Sequence, residues 1–102
     1  MQAFAEAGAD VLYAPGLNTR EAVQRVVSEL APKPVNILLS GPIPGLSLEW
    51  LAEVGVKRVS VGSALSRVAL GAFYQAAQAL RGGDVTELGQ AMPFDVLNGY
   101  FV

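Results

Sequence analysis

Apolar and polar positions alternate most regularly between Val54 and Arg81, and their spacing predicts a strand followed by a long helix. The β-branched run Arg58–Val61 lies between two glycines, which is typical of a parallel strand covered on both faces. From Leu65 to Leu80 the apolar residues recur every three or four positions, which places them on one side of a helix. Ser63 is the predicted N-cap of that helix. We therefore expect this segment to be the centre of the fold.

Two similar units precede this segment. Asn18 is the predicted N-cap of an earlier helix, and Glu21 three residues later completes a capping-box pattern. Ser47 is the predicted N-cap of a shorter helix. The inward positions are predicted at Ala22, Val23, Val26, Val27 and Leu30 in the first of these helices and at Leu48, Leu51 and Ala52 in the second. The strands are predicted at Val11–Ala14 and Val35–Leu39, and residues 2–7 are expected to be the last turns of a helix.

The alternation of strands and helices predicts the α/β class with parallel strands, because right-handed crossovers place consecutive strands side by side. Three βα units cannot close a barrel, which takes eight strands and roughly 250 residues. A small open sheet, a fragment of a (β/α)8 barrel and a barrel completed by another chain are the alternatives. Asp84 is the predicted cap of a short helix through Gln90, and residues 93–102 are an apolar tail that needs a surface to cover. The tail and the open sheet edges favour the latter two alternatives, so we expect a single partial barrel domain over 1–102, open or completed by another chain, with 84–102 as its C-terminal helix and tail.

Composition restricts the partners of the chain. Hydrophobic residues make up 52% of it and charged residues 16%, which is typical of a packed interior. The net charge is -2 and no basic run is present, so we expect no nucleic-acid partner. No apolar stretch has the roughly 20 residues of a membrane span, and no signal peptide is recognisable, so we expect no membrane partner and a cytoplasmic location. The absence of cysteine excludes disulfides and a thiolate nucleophile.

Chemistry is expected beyond the carboxyl ends of the strands, where parallel α/β folds bind their ligands. These ends carry no carboxylate, histidine, cysteine or lysine, so we predict no catalytic residue and no metal ligand. Backbone amides at Gly62-Ser63 could hold a phosphate or carboxylate, although a plain N-cap is the simpler interpretation. For the polar strand residues Tyr13, Asn36 and Ser60, hydrogen-bonded core side chains are the favoured interpretation.

Three sequence blocks in this order resemble the isocitrate lyase and phosphoenolpyruvate mutase superfamily: Ala5–Leu17, Lys33–Leu38 and Gly55–Leu65. They are most similar to its carboxyphosphonoenolpyruvate phosphonomutase-like and oxaloacetate-decarboxylase-like members. The resemblance implies a (β/α)8 TIM barrel of which this chain is the C-terminal part, with the sixth, seventh and eighth strands. It also implies an intact enzyme that cleaves or forms C–C or C–P bonds in small 2-oxo or 2-hydroxy acids, with Mg2+ stabilising an enolate-like intermediate.

The same resemblance implies which residues face the substrate. By position, the turn residues Pro15, Gly41, Gly62 and Ser63 would line the floor of the pocket. The metal-holding aspartates and the flexible catalytic loop belong to the N-terminal half of such barrels and have no match in this sequence. Many members also have a glutamate in the turn that here contains Pro15, and several have a polar side chain near Leu38.

These inferences predict the C-terminal segment of a Mg2+-dependent lyase- or phosphonomutase-like enzyme that is inactive alone. The apolar tail predicts a homo-oligomer, since C-terminal helices of such barrels commonly pack on a neighbouring subunit. A non-catalytic scaffold or oligomerising remnant of the barrel, and a phosphate-binding piece of another TIM-barrel family, are the alternatives. Substrate identity and reaction direction do not follow from the sequence.

Overall fold

The computed structural model describes residues 1–101 and contains two compact units, Met1–Leu65 and the segment from Ser66 onwards. The first unit is α/β, with three parallel strands in the order β1-β2-β3. This confirms the predicted parallel strands in sequence order. The elements of this unit are α1 (Gln2–Glu6), β1 (Leu12–Tyr13), α2 (Arg20–Leu30), β2 (Val35–Leu38), α3 (Leu48–Glu53) and β3 (Arg58–Ser60).

The core of the first unit lies between the sheet and the helices α2 and α3. Val35 and Ile37 of the central strand β2 both face these helices, because alternate residues of a strand point to the same side. The predicted inward side of α2 is confirmed, since Val23 and Leu30 are buried and its other apolar positions are partly buried. The buried apolar residues are Leu12, Val23, Leu30, Val35, Ile37, Leu51 and Val56.

The prediction that the strand beginning at Arg58 is the buried centre of the fold is wrong. β3 pairs with β2 at the edge of the described sheet, and Arg58 is exposed while Val59 and Ser60 are partly buried. β2 instead pairs on both sides, and its first three residues are buried. A β-branched run between glycines indicates a strand, but its place in a sheet depends on partners elsewhere in the chain.

Thr19, and not Asn18, is the N-cap of α2. Its Oγ1 accepts a hydrogen bond from the backbone N–H of Ala22 at 3.1 Å. The predicted capping box is therefore wrong, because Ala22 and not Glu21 occupies the third helical position. Glu21 still lies in the first turn, where the helix dipole favours a negative charge.

α3 begins as predicted and packs differently. Ser47 is its N-cap, and the Ser47 hydroxyl accepts a hydrogen bond from the backbone N–H of Trp50 at 3.1 Å. Of the three positions predicted to face inward, Leu51 is buried, whereas Leu48 is 65% exposed and Ala52 is exposed. This helix has six residues and therefore fewer than two turns with which to contact the core.

The second unit contains most of α4 (Ala64–Arg81), a 3-10 helix (Thr86–Gln90) and α5 (Phe94–Asn98). α4 has 18 residues and is the longest helix of the described chain, as predicted. From Ser66 to Phe101 no residue is buried, so the predicted apolar stripe of α4 is exposed and Phe73 is 72% accessible. Within residues 1–101, no helix combines the length and the apolar character needed to cross a membrane.

The N-cap of the 3-10 helix is Val85, so the prediction of Asp84 as its cap is wrong. The turn that leads into this helix is held by Asp84 instead. Its Oδ1 accepts hydrogen bonds from the backbone N–H of Thr86 at 2.8 Å and from the Thr86 hydroxyl. The predicted helix ends at Gln90, and part of the predicted tail is the helix α5. The last residue of that tail, Val102, lies outside the described residues.

Candidate functional site

The carboxyl ends of the three strands lie at one edge of the sheet, because the strands are parallel. Pro15 follows β1, Gly41 follows β2, and Gly62 and Ser63 follow β3. All four residues are exposed. The structure thus places the four predicted substrate-binding residues in loops of one sheet edge, while their contact with a substrate stays a prediction.

Gly62 is the position at this edge where only glycine fits without strain. Its φ is +52°, which a residue with a Cβ rarely adopts, and a Cβ would lie 3.3 Å from Cδ1 of Leu38. In the turn that follows, the backbone N–H of Ala64 donates to the carbonyl oxygen of Val61 at 2.9 Å. α4 begins at Ala64, so Ser63 stands immediately before the first helical residue. Backbone amides at the start of a helix favour an anion.

The side chains at this edge do not fit a Mg2+ ion. Mg2+ takes oxygen ligands and is usually bound through one or two carboxylates. The residues after the strands offer instead the Ser63 hydroxyl and the backbone groups of two glycines and a proline. Across residues 1–101, no three His, Cys, Asp or Glu side chains are grouped closely enough to hold a metal ion. These residues therefore do not provide the Mg2+ site that the resemblance implies for a complete barrel.

The ionisable groups with a shifted pKa lie outside these loops. On the exposed surface of α2, Nε of Arg25 donates a hydrogen bond to Glu29 at 2.7 Å, and this bond raises the pKa of Arg25. Hydrogen bonds from Thr86 lower the pKa of the Asp84 carboxyl. Neither shift produces a general acid or base at the strand ends.

A second set of polar side chains lies on the face of the sheet opposite to α2 and α3. Tyr13, Asn36 and Arg58 are in register across the three strands. Nδ2 of Asn36 donates a hydrogen bond to Oγ of Ser60 at 3.0 Å. We call this region the inner groove, and it is lined by Val11, Tyr13, Asn36, Leu38, Arg58 and Ser60.

The interpretation of the polar strand residues as hydrogen-bonded core side chains is correct only in part. Ser60 accepts the bond from Asn36, but Tyr13 is 43% exposed. Asn36 is only 8% exposed, and its Oδ1 has no hydrogen-bond partner within residues 1–101. Sequence reasoning missed Arg58 as a member of this set. Its alternation with Ser60 along one strand is the signal that places both on one face.

The sequence of this chain matches a known protein family and two curated relatives. Residues 1–81 match the sequence model of the phosphoenolpyruvate phosphomutase family. An uncharacterized protein of Mycobacterium tuberculosis, found in two strains, is 34% identical over 99 residues. The match covers 97% of this chain and 36% of that protein. The chain therefore spans little more than a third of the length of the curated relatives it matches.

Solved structures agree with this match. A candidate lyase/mutase from Burkholderia cenocepacia is 45% identical, with a TM-score of 0.85 over 97% of this chain and 36% of that one. Oxaloacetate acetylhydrolase, solved with the product oxalate, is 25% identical, with a TM-score of 0.69 over 90% of this chain and 31% of its own. The lyase of 2,3-dimethylmalate is 27% identical, with a TM-score of 0.68 over 94% of this chain and 34% of its own, and it is a member of the PEP mutase/isocitrate lyase superfamily. These findings confirm the resemblance in the sequence, and the chain belongs to the phosphoenolpyruvate mutase family.

Proposed function

We propose that this chain supplies the sixth, seventh and eighth strands of a (β/α)8 barrel, and that the complete barrel is a lyase or mutase of a small 2-oxo or 2-hydroxy acid. The family match over residues 1–81 carries this proposal, because it spans all three strands and α4. The parallel order of the strands supports a barrel segment. The names of two solved relatives support the substrate class, since oxaloacetate and 2,3-dimethylmalate are both small organic acids.

The loops at the carboxyl ends of the strands are the proposed floor of the substrate pocket. Gly41 and Gly62 have no side chain to keep a substrate away from the backbone. At the start of α4, beside Ser63, the helix dipole favours a negatively charged group. A substrate carboxylate would be oriented there, while Pro15 contributes a turn of fixed φ. The floor therefore binds and orients the acid through backbone groups and the Ser63 hydroxyl.

Bond cleavage in this substrate class needs groups that these loops lack. Negative charge develops on an oxygen atom next to the bond that breaks, and losing one well-placed donor costs about 10²-fold or more in rate. No loop residue named above has a carboxylate or a basic side chain. We assign Mg2+ and its carboxylate ligands to the rest of the barrel, and we expect this chain to be inactive alone.

The test begins with the purified chain. It is incubated with Mg2+ and with oxaloacetate, isocitrate, methylisocitrate or phosphonopyruvate, and the release of pyruvate or glyoxylate is followed. We expect no turnover. In parallel, the chain replaces the segment on which it superimposes in the Burkholderia cenocepacia protein, and we expect the hybrid to convert the same acids as the unaltered protein. Ser63→Ala should lower that turnover, whereas Ser66→Ala, one helical turn further on, should not.

Two outcomes would contradict the proposal. The first is turnover by the chain alone that survives metal-free repurification and disappears in the Ser63→Ala variant, since this would place the chemistry within the segment itself. The second is a hybrid that is folded by circular dichroism and inactive on an acid that the unaltered protein converts.

A non-catalytic, oligomerising role is the second candidate function. The observation that favours it is the exposed apolar surface between Ser66 and Phe101, where Phe73 is 72% and Phe94 is 84% accessible. Exposed apolar patches larger than a few hundred Å2 are unusual on a soluble monomer and commonly mark an interface. An oligomer through this surface is compatible with either function, and activity of the hybrid barrel separates the two.

A further inference from the structure

The inner groove combines an unpaired cation with a buried polar atom that lacks a donor. Arg58 is exposed and forms no ion pair within residues 1–101. Asn36 is buried, with only 8% of its surface exposed, and yet its Oδ1 has no hydrogen-bond partner in the same part of the chain. Leaving a buried acceptor without a partner is costly, because its hydration is lost and not replaced, so such an atom indicates a missing interaction.

The register between β2 and β3 places Arg58 where it can donate both to Oδ1 of Asn36 and to a ligand. Arg58 lies directly beside Asn36 on the neighbouring strand, and side chains at such positions are close enough to touch. A guanidinium has five N–H donors in a planar fork. One of them can serve Oδ1 of Asn36 while two others remain for an acceptor outside the sheet. Within this arrangement Arg58 links the buried amide to a ligand.

The chemistry of the other lining residues selects the ligand. Ser60 accepts a hydrogen bond from Asn36 through Oγ, so its own hydroxyl proton remains available to donate. Tyr13 places a second hydroxyl on the same row. None of the six described residues that line the groove is an aspartate or a glutamate. One planar cation on a face that also carries two hydroxyl groups matches a carboxylate, which accepts two parallel N–H bonds from arginine.

We propose that the inner groove is a carboxylate-binding site, in which Arg58 donates to the carboxylate and to Oδ1 of Asn36, and Tyr13 and Ser60 donate from either side. The groove adjoins the loops proposed above for the substrate, since Leu38 lines it and lies beside Gly62, but Arg58 is at the opposite end of β3 from those loops. The carboxylate is either the side chain of a polypeptide segment that covers this face or a free small acid.

The test is a titration of the 15N-labelled chain with acetate, at constant ionic strength against chloride. Acetate has the shape of an aspartate side chain, and the signals followed are Nε–H of Arg58 and the side-chain amide of Asn36. We expect saturable shifts of both signals. Arg58→Gln removes the first of these signals and should abolish the shift of the Asn36 amide. Lys57→Gln is the matched control and should preserve both shifts, because Lys57 carries the same charge but lines a surface with Lys33 and Pro34 instead.

A second variant keeps the proposal open to refutation if Arg58→Gln weakens the fold. Asn36→Asp puts a carboxylate beside Arg58, so it should pair internally and prevent acetate from binding while the amide spectrum stays dispersed. Pyruvate and oxaloacetate distinguish the two sources of carboxylate. Shifts equal to those from acetate indicate that the groove binds the carboxylate group alone, as it would bind a side chain. Much tighter binding of the 2-oxo acids indicates a free acid as the ligand.

Two results would overturn the proposal. One is the absence of saturable shifts in the original chain. The other is an Arg58→Gln variant that is folded and responds to acetate as the original chain does. Neither result depends on turnover, so the proposed activity of the complete barrel could stand or fail independently.

Discussion

Seven apolar side chains are buried in the first unit, and Val23 and Ile37 among them are entirely inaccessible. An interior of this size tolerates little loss of contact, because truncation of a buried side chain removes hydrophobic burial and leaves a cavity. Truncation of an exposed apolar residue of the same unit removes little burial and leaves no cavity. Single substitutions at the residue scale therefore distinguish the core from its surroundings.

We expect Ile37→Ala to lower the free energy of unfolding by about 2–5 kcal/mol, because it leaves a cavity under the central strand. Leu48→Ala is the matched control. Leu48 is 65% exposed, and a surface substitution usually changes stability by no more than about 0.5 kcal/mol. Urea denaturation followed by circular dichroism measures both variants. Equal losses in the two would contradict this assignment of the core.

Replacing either of two glycines by alanine should change the stability of the chain, and the two changes should have opposite signs. Gly55 has a φ of +102°, and a Cβ there would lie 3.3 Å from Cγ1 of Val27, so Gly55→Ala should destabilise the chain by about 1–3 kcal/mol. Gly71 lies within α4, and a Cβ there meets nothing within 4 Å. Gly71→Ala should therefore stabilise by up to about 1 kcal/mol. Thermal unfolding measures the stability of both variants. A more stable Gly55→Ala variant or a less stable Gly71→Ala variant would contradict this prediction.

At the scale of elements, the order and direction of helices and strands could be predicted, because their signals act over a few residues. Ser47 caps α3 where the spacing to the apolar positions indicated. Asn18 and Thr19 are both good caps in adjacent positions, so the local pattern alone could not decide between them. The edge position of β3 could not be predicted either, since strand pairing joins residues that are far apart in the chain.

The cap of α2 can be tested with adjacent substitutions. Thr19→Ala should cost about 1 kcal/mol of stability, because the backbone N–H of Ala22 loses its acceptor. Asn18→Ala should have a smaller effect, since Asn18 precedes the cap. Urea midpoints of the two variants, at an unchanged m-value, give the comparison. A larger loss from Asn18→Ala would restore the cap predicted from the sequence.

At the scale of the whole molecule, the loops of the candidate site could be named from the sequence because the ends of parallel strands meet at one edge. The inner groove could not be predicted. Its row of Tyr13, Asn36 and Arg58 depends on the register between strands, and one residue of slip would turn Arg58 to the other face. Burial of Asn36 also requires the neighbouring strands, so the residue's own surroundings in the sequence do not reveal it.

Association should be measurable for the chain at micromolar concentration. We expect light scattering to show a dimer or a larger species, because Phe73, Phe94 and Phe101 are exposed. Phe73→Ser and a deletion of residues 94–102 should each lower the mass. Gln75→Ser, on the same helix, should leave it unchanged. A monomer whose size is the same in all of these variants would exclude the oligomerising role.

Each strand of the sheet pairs with the strand nearest to it along the chain. Tyr13 stands opposite Asn36, and Asn36 opposite Arg58, so the two pairings close loops of nearly equal length. Short loops cost less entropy to close, and contacts between near neighbours form early in folding. During translation, β2 can therefore dock beside β1 before β3 has left the ribosome, and the first unit can be assembled stepwise as it is made.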